Sequence, residues 1–122
     1  MKYKVPQYKG LDDLVSEFIR RRAIKRVGGC EKCLSAKSDY KRLQNCHFHG
    51  RLKISVRFDE DNLNGFCSGC HRWLDSQPDE YREWKLAELG QKRYDELLLR
   101  SKITPSKIDI NLLTLYYQAR LL

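Results

Sequence analysis

Two Cys-x-x-Cys pairs, Cys30-Glu31-Lys32-Cys33 and Cys67-Ser68-Gly69-Cys70, are separated by the 33 residues 34–66. No other feature constrains the fold of this chain as much. Two thiolates three residues apart in a tight turn can take two corners of a tetrahedron around Zn²⁺, with Zn–S distances of ~2.3 Å. A second such turn completes a four-cysteine set. That set is closed, so the metal is expected to be structural rather than catalytic. The spacing also admits a redox pair or unliganded core cysteines. A fifth cysteine, Cys46, makes the count odd, which argues against a secreted disulfide framework. With 122 residues the chain is expected to be one domain. In a domain this small, metal binding is part of folding itself.

Around that frame the pattern is mixed. Leu11, Leu14, Val15, Phe18 and Ile19 recur at helical spacing, which predicts an amphipathic helix over 11–24 that Gly28-Gly29 stops. Residues 34–45 read as loop. Cys46 to Phe48 and Lys53 to Phe58 read as short strands, the second because Ile54, Val56 and Phe58 alternate with Ser55 and Arg57. On that reading Arg57 faces outward. Asp59 to Asn64 reads as an acidic turn. A helix is expected from about His71, and Gln77-Pro78 breaks it. Asp79 is expected to cap a helix to Leu89, Gly90 to end or kink it before 91–100, and Ile103-Thr104-Pro105 to break the chain again. A last helix over about 106–121 places Ile110, Leu113, Tyr117 and Leu121 on one face, for internal packing or for a homodimer. The fold class expected is α+β. A single domain divides into a basic helix at 11–26, a zinc-bracketed core at 28–77 and helices at 79–121.

The formal charge of +8 is uneven. Residues 1–26 carry eight basic and three acidic side chains, and residues 27–58 carry seven and two. Residues 59–100 reverse the balance, with six basic and ten acidic. A basic half of this kind most often neutralises phosphates, so DNA is the expected partner. Arg20, Arg21, Arg22, Lys25, Arg26, Arg51 and Arg57 are the candidate nucleic-acid contacts, and a solvated face is the plainer reading of each. No run approaches the ~18 apolar residues of a membrane span. No apolar stretch follows Met1-Lys2-Tyr3-Lys4, so a cytoplasmic protein without a signal peptide is expected.

All three histidines, His47, His49 and His71, lie within or directly after the cysteine-bracketed segment. The order His47, Asn62, His71, with Asn62-Leu63 leading into Cys67-x-x-Cys70-His71, resembles the HNH (ββα-metal) endonucleases. Leu11 to Arg22, Gly29-Cys30, Cys46-His47-Phe48, Arg57 to Asn62 and Glu80-Tyr81-Arg82 resemble, more narrowly, the lambda NinG (Rap) family of phage recombination endonucleases. That likeness covers roughly residues 11–100, with Cys46 and His71 standing where the family usually has Gly and Asn. It implies a ββα-metal core like a treble clef, phage or bacterial origin and cleavage of branched recombination intermediates.

The residue chemistry agrees with the resemblance. Phosphodiester hydrolysis needs an activated water, neutralised phosphoryl oxygens and help for the leaving oxygen. An imidazole that is neutral near pH 7 suits the first task, and His47 is the candidate base. Asn62 is expected to orient its ring, and His71 to hold one divalent ion (Mg²⁺, Mn²⁺, Ni²⁺ or Co²⁺). A second ligand is open. Cys46 occupies the place where many HNH enzymes carry Asp or His, and a thiolate is a poor partner for Mg²⁺. Cys46 also reads as a core residue. His49, two residues after His47, would share its strand face and supply the ligand, or would be a surface histidine. Trp73, Tyr81, Trp84 and Tyr94 read as packing residues. Two rival functions remain, a non-catalytic zinc module that binds nucleic acid and a zinc-stabilised interaction adaptor.

Overall fold

The computed structural model describes residues 6–105 and 107–122, so the expected signal-free N-terminus and Ser106 lie outside the described residues. The fold is α+β. Helix α1 (Lys9–Val27) leads into strand β1 (Gln44–His47), strand β2 (Leu63–Phe66) and helices α2 (Ser68–Ser76), α3 (Pro78–Leu89), α4 (Gln91–Ser101) and α5 (Ile110–Arg120). The punctuation read from the sequence holds where it was local. Gly28 ends α1 at φ 72°, a left-handed conformation open to glycine. Pro78 opens α3, where its missing N–H costs nothing. Gly90 separates α3 from α4. Asp79 lies inside α3, ion-paired with Arg82, and Gln77 takes the cap position instead.

The main correction concerns the second strand. Residues 53–58 alternate as a strand should, yet Ile54–Val56 form a tight 3-10 turn. Val56 N–H bonds Lys53 C=O and Arg57 N–H bonds Ile54 C=O, so the segment satisfies its backbone locally. The partner of β1 is Leu63–Phe66, paired antiparallel with Cys46 opposite Asn64. All four β2 residues are buried, so the strand has no polar alternation to reveal it. Its close seating on α1 depends on Gly65, since a Cβ there would come within 2.7 Å of the Ala23 methyl.

Two main clusters form the core. Leu11, Val15, Phe18 and Ile19 of α1 meet Phe58, Leu63 and Tyr117, with Ile110, Leu113 and Leu121 packed against them. Ile110, Leu113, Tyr117 and Leu121 of the α5 segment thus pack against α1 of the same chain, while Leu112, Leu115 and Tyr116 are exposed. The second cluster gathers Ala23, Cys30, Leu43, Cys46, Phe66, Leu74 and Tyr81 beneath the cysteine turns. Tyr81, Trp84 and Tyr94 pack inside as expected, whereas Trp73 is 53% exposed and donates to Glu80. Among the described residues no helix is long and apolar enough to cross a membrane.

Candidate metal centre and adjoining cleft

The first cysteine turn is built by close backbone approach. Cys30 N–H bonds Ser35 C=O at 3.1 Å and Leu34 N–H bonds Cys30 C=O at 2.9 Å. Gly29 lies so near that a Cβ would sit 2.0 Å from the Ser35 carbonyl oxygen, so only glycine fits. The second turn is the start of α2. Cys67 caps the helix in extended conformation, Cys70 follows in its first turn, and His71 N–H bonds Cys67 C=O at 2.9 Å. Helix α2 therefore begins at Ser68, three residues before the expected start, because the Cys-x-x-Cys spacing is itself one helical turn.

These two turns bring the Sγ atoms of Cys30, Cys33, Cys67 and Cys70 within 4.8 Å of one another, with Cys33 and Cys67 at 4.0 Å. A tetrahedral ion with ~2.3 Å bonds needs thiolates ~3.8 Å apart, so the set fits a structural metal such as zinc. Cys67 N–H donates to the buried Cys30 Sγ at 3.2 Å, the kind of bond that steadies a thiolate ligand. Without metal, burial pushes the Cys30 and Cys70 thiols up, while the Ser35 backbone N–H pulls Cys33 down to about 7. Loading four thiolates therefore releases protons. Cys46 stays outside the set. It is fully buried and its Sγ donates to Gln44 C=O at 3.4 Å. Burial raises its pKa strongly, which makes it an inert core thiol.

Beside the metal centre a cleft of about 600 Å³ opens between α1, β1 and α2. His47 and His71 both line it, with Asp12, Arg20, Arg51 and Asp75 among the other walls. Desolvation is the main cause that depresses His47 to about 4, helped by the nearby charges of Arg51 and Arg57, so its ring is neutral at pH 7. The Asp12 carboxylate and, less strongly, a hydrogen bond to the Arg57 backbone oppose that shift. His71 Nδ1 lies 2.6 Å from Gln44 Oε1, and its Nε2 lies 3.2 Å from Asp75 Oδ2. The tautomer of the ring decides which of the two nitrogens donates.

Asn62 does not enter the cleft. It is completely buried and braces the chain behind His47. Its Oδ1 accepts from His49 N–H at 2.8 Å, and its Nδ2 donates to the carbonyls of His49 (2.9 Å) and Val56 (3.1 Å). His49 is not where the strand reading expects it. β1 ends at His47, and the His49 ring lies against Phe48 at 4.7 Å, so His49 is not among the cleft-lining residues.

The basic residues separate into two groups. Arg57, expected to face outward, is 1% exposed. Its Nε and Nη2 bond Asp12 Oδ1 and Oδ2 at 3.0 and 2.7 Å, a bidentate pair. The reason is the 3-10 turn, which aims it inward instead of along a pleat. Arg51 Nη2 shares the same Asp12 oxygen at 3.0 Å. Arg22 bonds the carbonyls of Glu60 and Leu63, and Arg26 reaches Glu31. Arg20 is half-buried and lines the cleft, while Arg21 and Lys25 are exposed on α1. Behind the cysteine turn, Lys85 is fully buried and bonds Asn64 Oδ1 (2.6 Å) and Glu88 Oε1 (2.8 Å), while Glu31 accepts from Gly65 N–H at 2.6 Å. Sequence reasoning missed Asp12, Gln44, Asp75 and this Lys85 network. Only Asp75 carried a signal, standing one helical turn after His71.

No family model matches this sequence, and comparison with curated proteins and with solved structures finds no match either.

Proposed function

We propose that this chain is a metal-dependent DNA endonuclease of the HNH (ββα-metal) type, similar to the NinG (Rap) phage enzymes, hydrolysing phosphodiester bonds in recombination or branched DNA. The observation that carries the reading is the cleft itself. A neutral, half-buried His47 and a His71–Asp75 pair line one opening beside a four-cysteine centre. In this reading the β1–β2 pair followed by α2 would serve as the ββα element, and a metal on the four cysteines would hold it together. Asn62 braces the backbone on both sides of the turn that follows His47.

In this reading His47 takes the proton of the attacking water. Arg51, steadied by Asp12, contacts a phosphate oxygen. His71 and Asp75 would hold the divalent ion, which supplies charge for the phosphoryl and leaving oxygens. Their 3.2 Å separation suits two neighbouring ligands of one ion with bonds of ~2.1 Å. Asp75 thus replaces His49 as the second candidate ligand. One nitrogen and one carboxylate oxygen accommodate Mn²⁺, Co²⁺ or Ni²⁺ at least as well as Mg²⁺.

The test is cleavage of supercoiled and four-way-branched DNA across a series of divalent ions, beside His47→Ala. The expected result is metal-dependent cleavage that falls 10²–10⁴-fold in the variant, about the contribution of a general base. DNA binding without cleavage under any ion would leave the non-catalytic module, and neither binding nor cleavage would leave the adaptor.

A further inference from the structure

The basic residues of α1 that do not brace the interior gather in one place. It lies on the outer side of α1, where Arg20 and Arg21 both stack on the Tyr40 ring with guanidinium carbons 5.0 and 4.2 Å from its centroid. Tyr40 opens a 3-10 turn, Tyr40–Arg42, held by the Asp39 carboxylate accepting from Lys41 N–H at 2.9 Å. That turn carries Lys41 and Arg42, both exposed. Lys25 lies one turn beyond Arg21 on α1 and lines a shallow groove with Ser38, Asp39 and Tyr40.

This ridge runs into the cleft. Arg20 stands in both, stacked on Tyr40 at one end and lining the His47–His71 opening at the other. Gln44, which contacts His71, is separated from the Tyr40 turn by Leu43 alone. We infer that Arg20, Arg21 and Lys25, with Lys41 and Arg42 of the Tyr40 turn, form a track for the DNA phosphate backbone leading away from the cleaved bond. The inference rests on the nuclease reading and adds the path of the strand. The track reads backbone and not sequence. The Tyr40 ring is covered by two guanidinium groups, so it positions them and is no platform for a base. Lys25 lies about 6–7.5 Å along the helix from Arg21 and Arg20, at ~1.5 Å per residue. That span matches the rise of about two nucleotides of one strand. Glu17 accepts from Arg21 Nε at 2.8 Å, an exposed ion pair one helical turn apart that a phosphate must compete with.

The test is fluorescence anisotropy of a labelled duplex in a salt series, with zinc-loaded protein and no other divalent ion. Arg21→Gln with Lys25→Gln is expected to weaken binding roughly tenfold at low salt. The slope of log K against log salt should become shallower by about 1.8, the loss of two phosphate contacts. Tyr40→Ala should reproduce part of that loss and Tyr40→Phe should restore it, because phenylalanine keeps the stacking face. Lys102→Gln with Lys107→Gln, which removes equal charge from a different groove, should leave the slope unchanged. Wild-type affinity and slope in the Arg21/Lys25 double variant would overturn the track while leaving the nuclease reading intact. A wild-type protein that does not bind DNA would overturn both.

Discussion

The metal centre and the cleft beside it are built on opposite plans. Each cysteine pair is three residues long, and each turn is closed by bonds within a few residues, such as Cys30 N–H to Ser35 and His71 N–H to Cys67. The two turns are then joined directly, by Glu31 N–H to Gly65 C=O at 3.0 Å and by Cys67 N–H to Cys30 Sγ at 3.2 Å. The cleft draws its walls from α1, β1, the turn at 50–51 and α2. Its principal brace, Asp12 to Arg57, spans 45 residues. Local turns can be written as a motif, whereas a cleft assembled from distant segments cannot. The metal centre should therefore respond to loss of a single ligand as a folding unit, and the cleft should respond in graded steps.

The largest effect should come from breaking the metal centre. Cys30→Ser removes a fully buried ligand that also accepts from Cys67 N–H, and it should leave a poorly folded chain with less than one zinc per molecule. Circular dichroism and metal analysis would check this. A normally folded variant with full zinc would show that the four cysteines do not act as one site. Chelation of the wild type should reproduce the loss.

A smaller change is expected at the brace. Asp12→Asn leaves the buried Arg57 charge poorly compensated, at a cost of about 3–5 kcal/mol in a denaturant melt. Replacing both partners with apolar residues, Asp12→Leu with Arg57→Met, should recover much of that stability. It should not recover cleavage, because Arg51 loses its anchor as well. Equal stability in the single and double variants would mean that the ion pair is not what holds the 51–57 turn.

The smallest effect concerns pH. The folded pKa of His47, about 4, lies below the ~6.5 of an unfolded chain. Between these values the unfolded state binds a proton that the folded state rejects. The His47 contribution therefore lowers stability as pH falls from about 6.5 to about 4 and changes little above that window. The wild type should lose melting temperature across it faster than His47→Gln does. Parallel curves would place the His47 pKa near its ordinary value.

The same contrast explains what was legible in the chain. The cysteine set, the stop at Gly28 and the breaks at Pro78 and Gly90 were readable because each rests on neighbours within one turn. The reading of 53–58 as a strand failed although its alternation was real. A strand needs a partner, and β1 was already paired with the uniformly buried Leu63–Phe66. Arg57 is aimed inward by the same turn, and His49 lies beyond the end of β1 at His47 and so does not share a strand face with it. The basic residues of α1 looked alike in sequence. Their separation into internal braces such as Arg22 and outward groups such as Arg21 depends on what each one meets across the fold.

The sequence by itself therefore determined a four-cysteine motif, a basic first half and the order of the helices. Spacing along the chain is enough for that, since a metal turn or a helix end is decided over three or four residues. Only the tertiary structure decided that Asn62 braces the backbone from inside the protein, that Asp75 accompanies His71 and that Arg57 is buried on Asp12. Those outcomes depend on pairing between segments far apart in the chain, and polar contacts of that range leave no periodic trace in the order of residues.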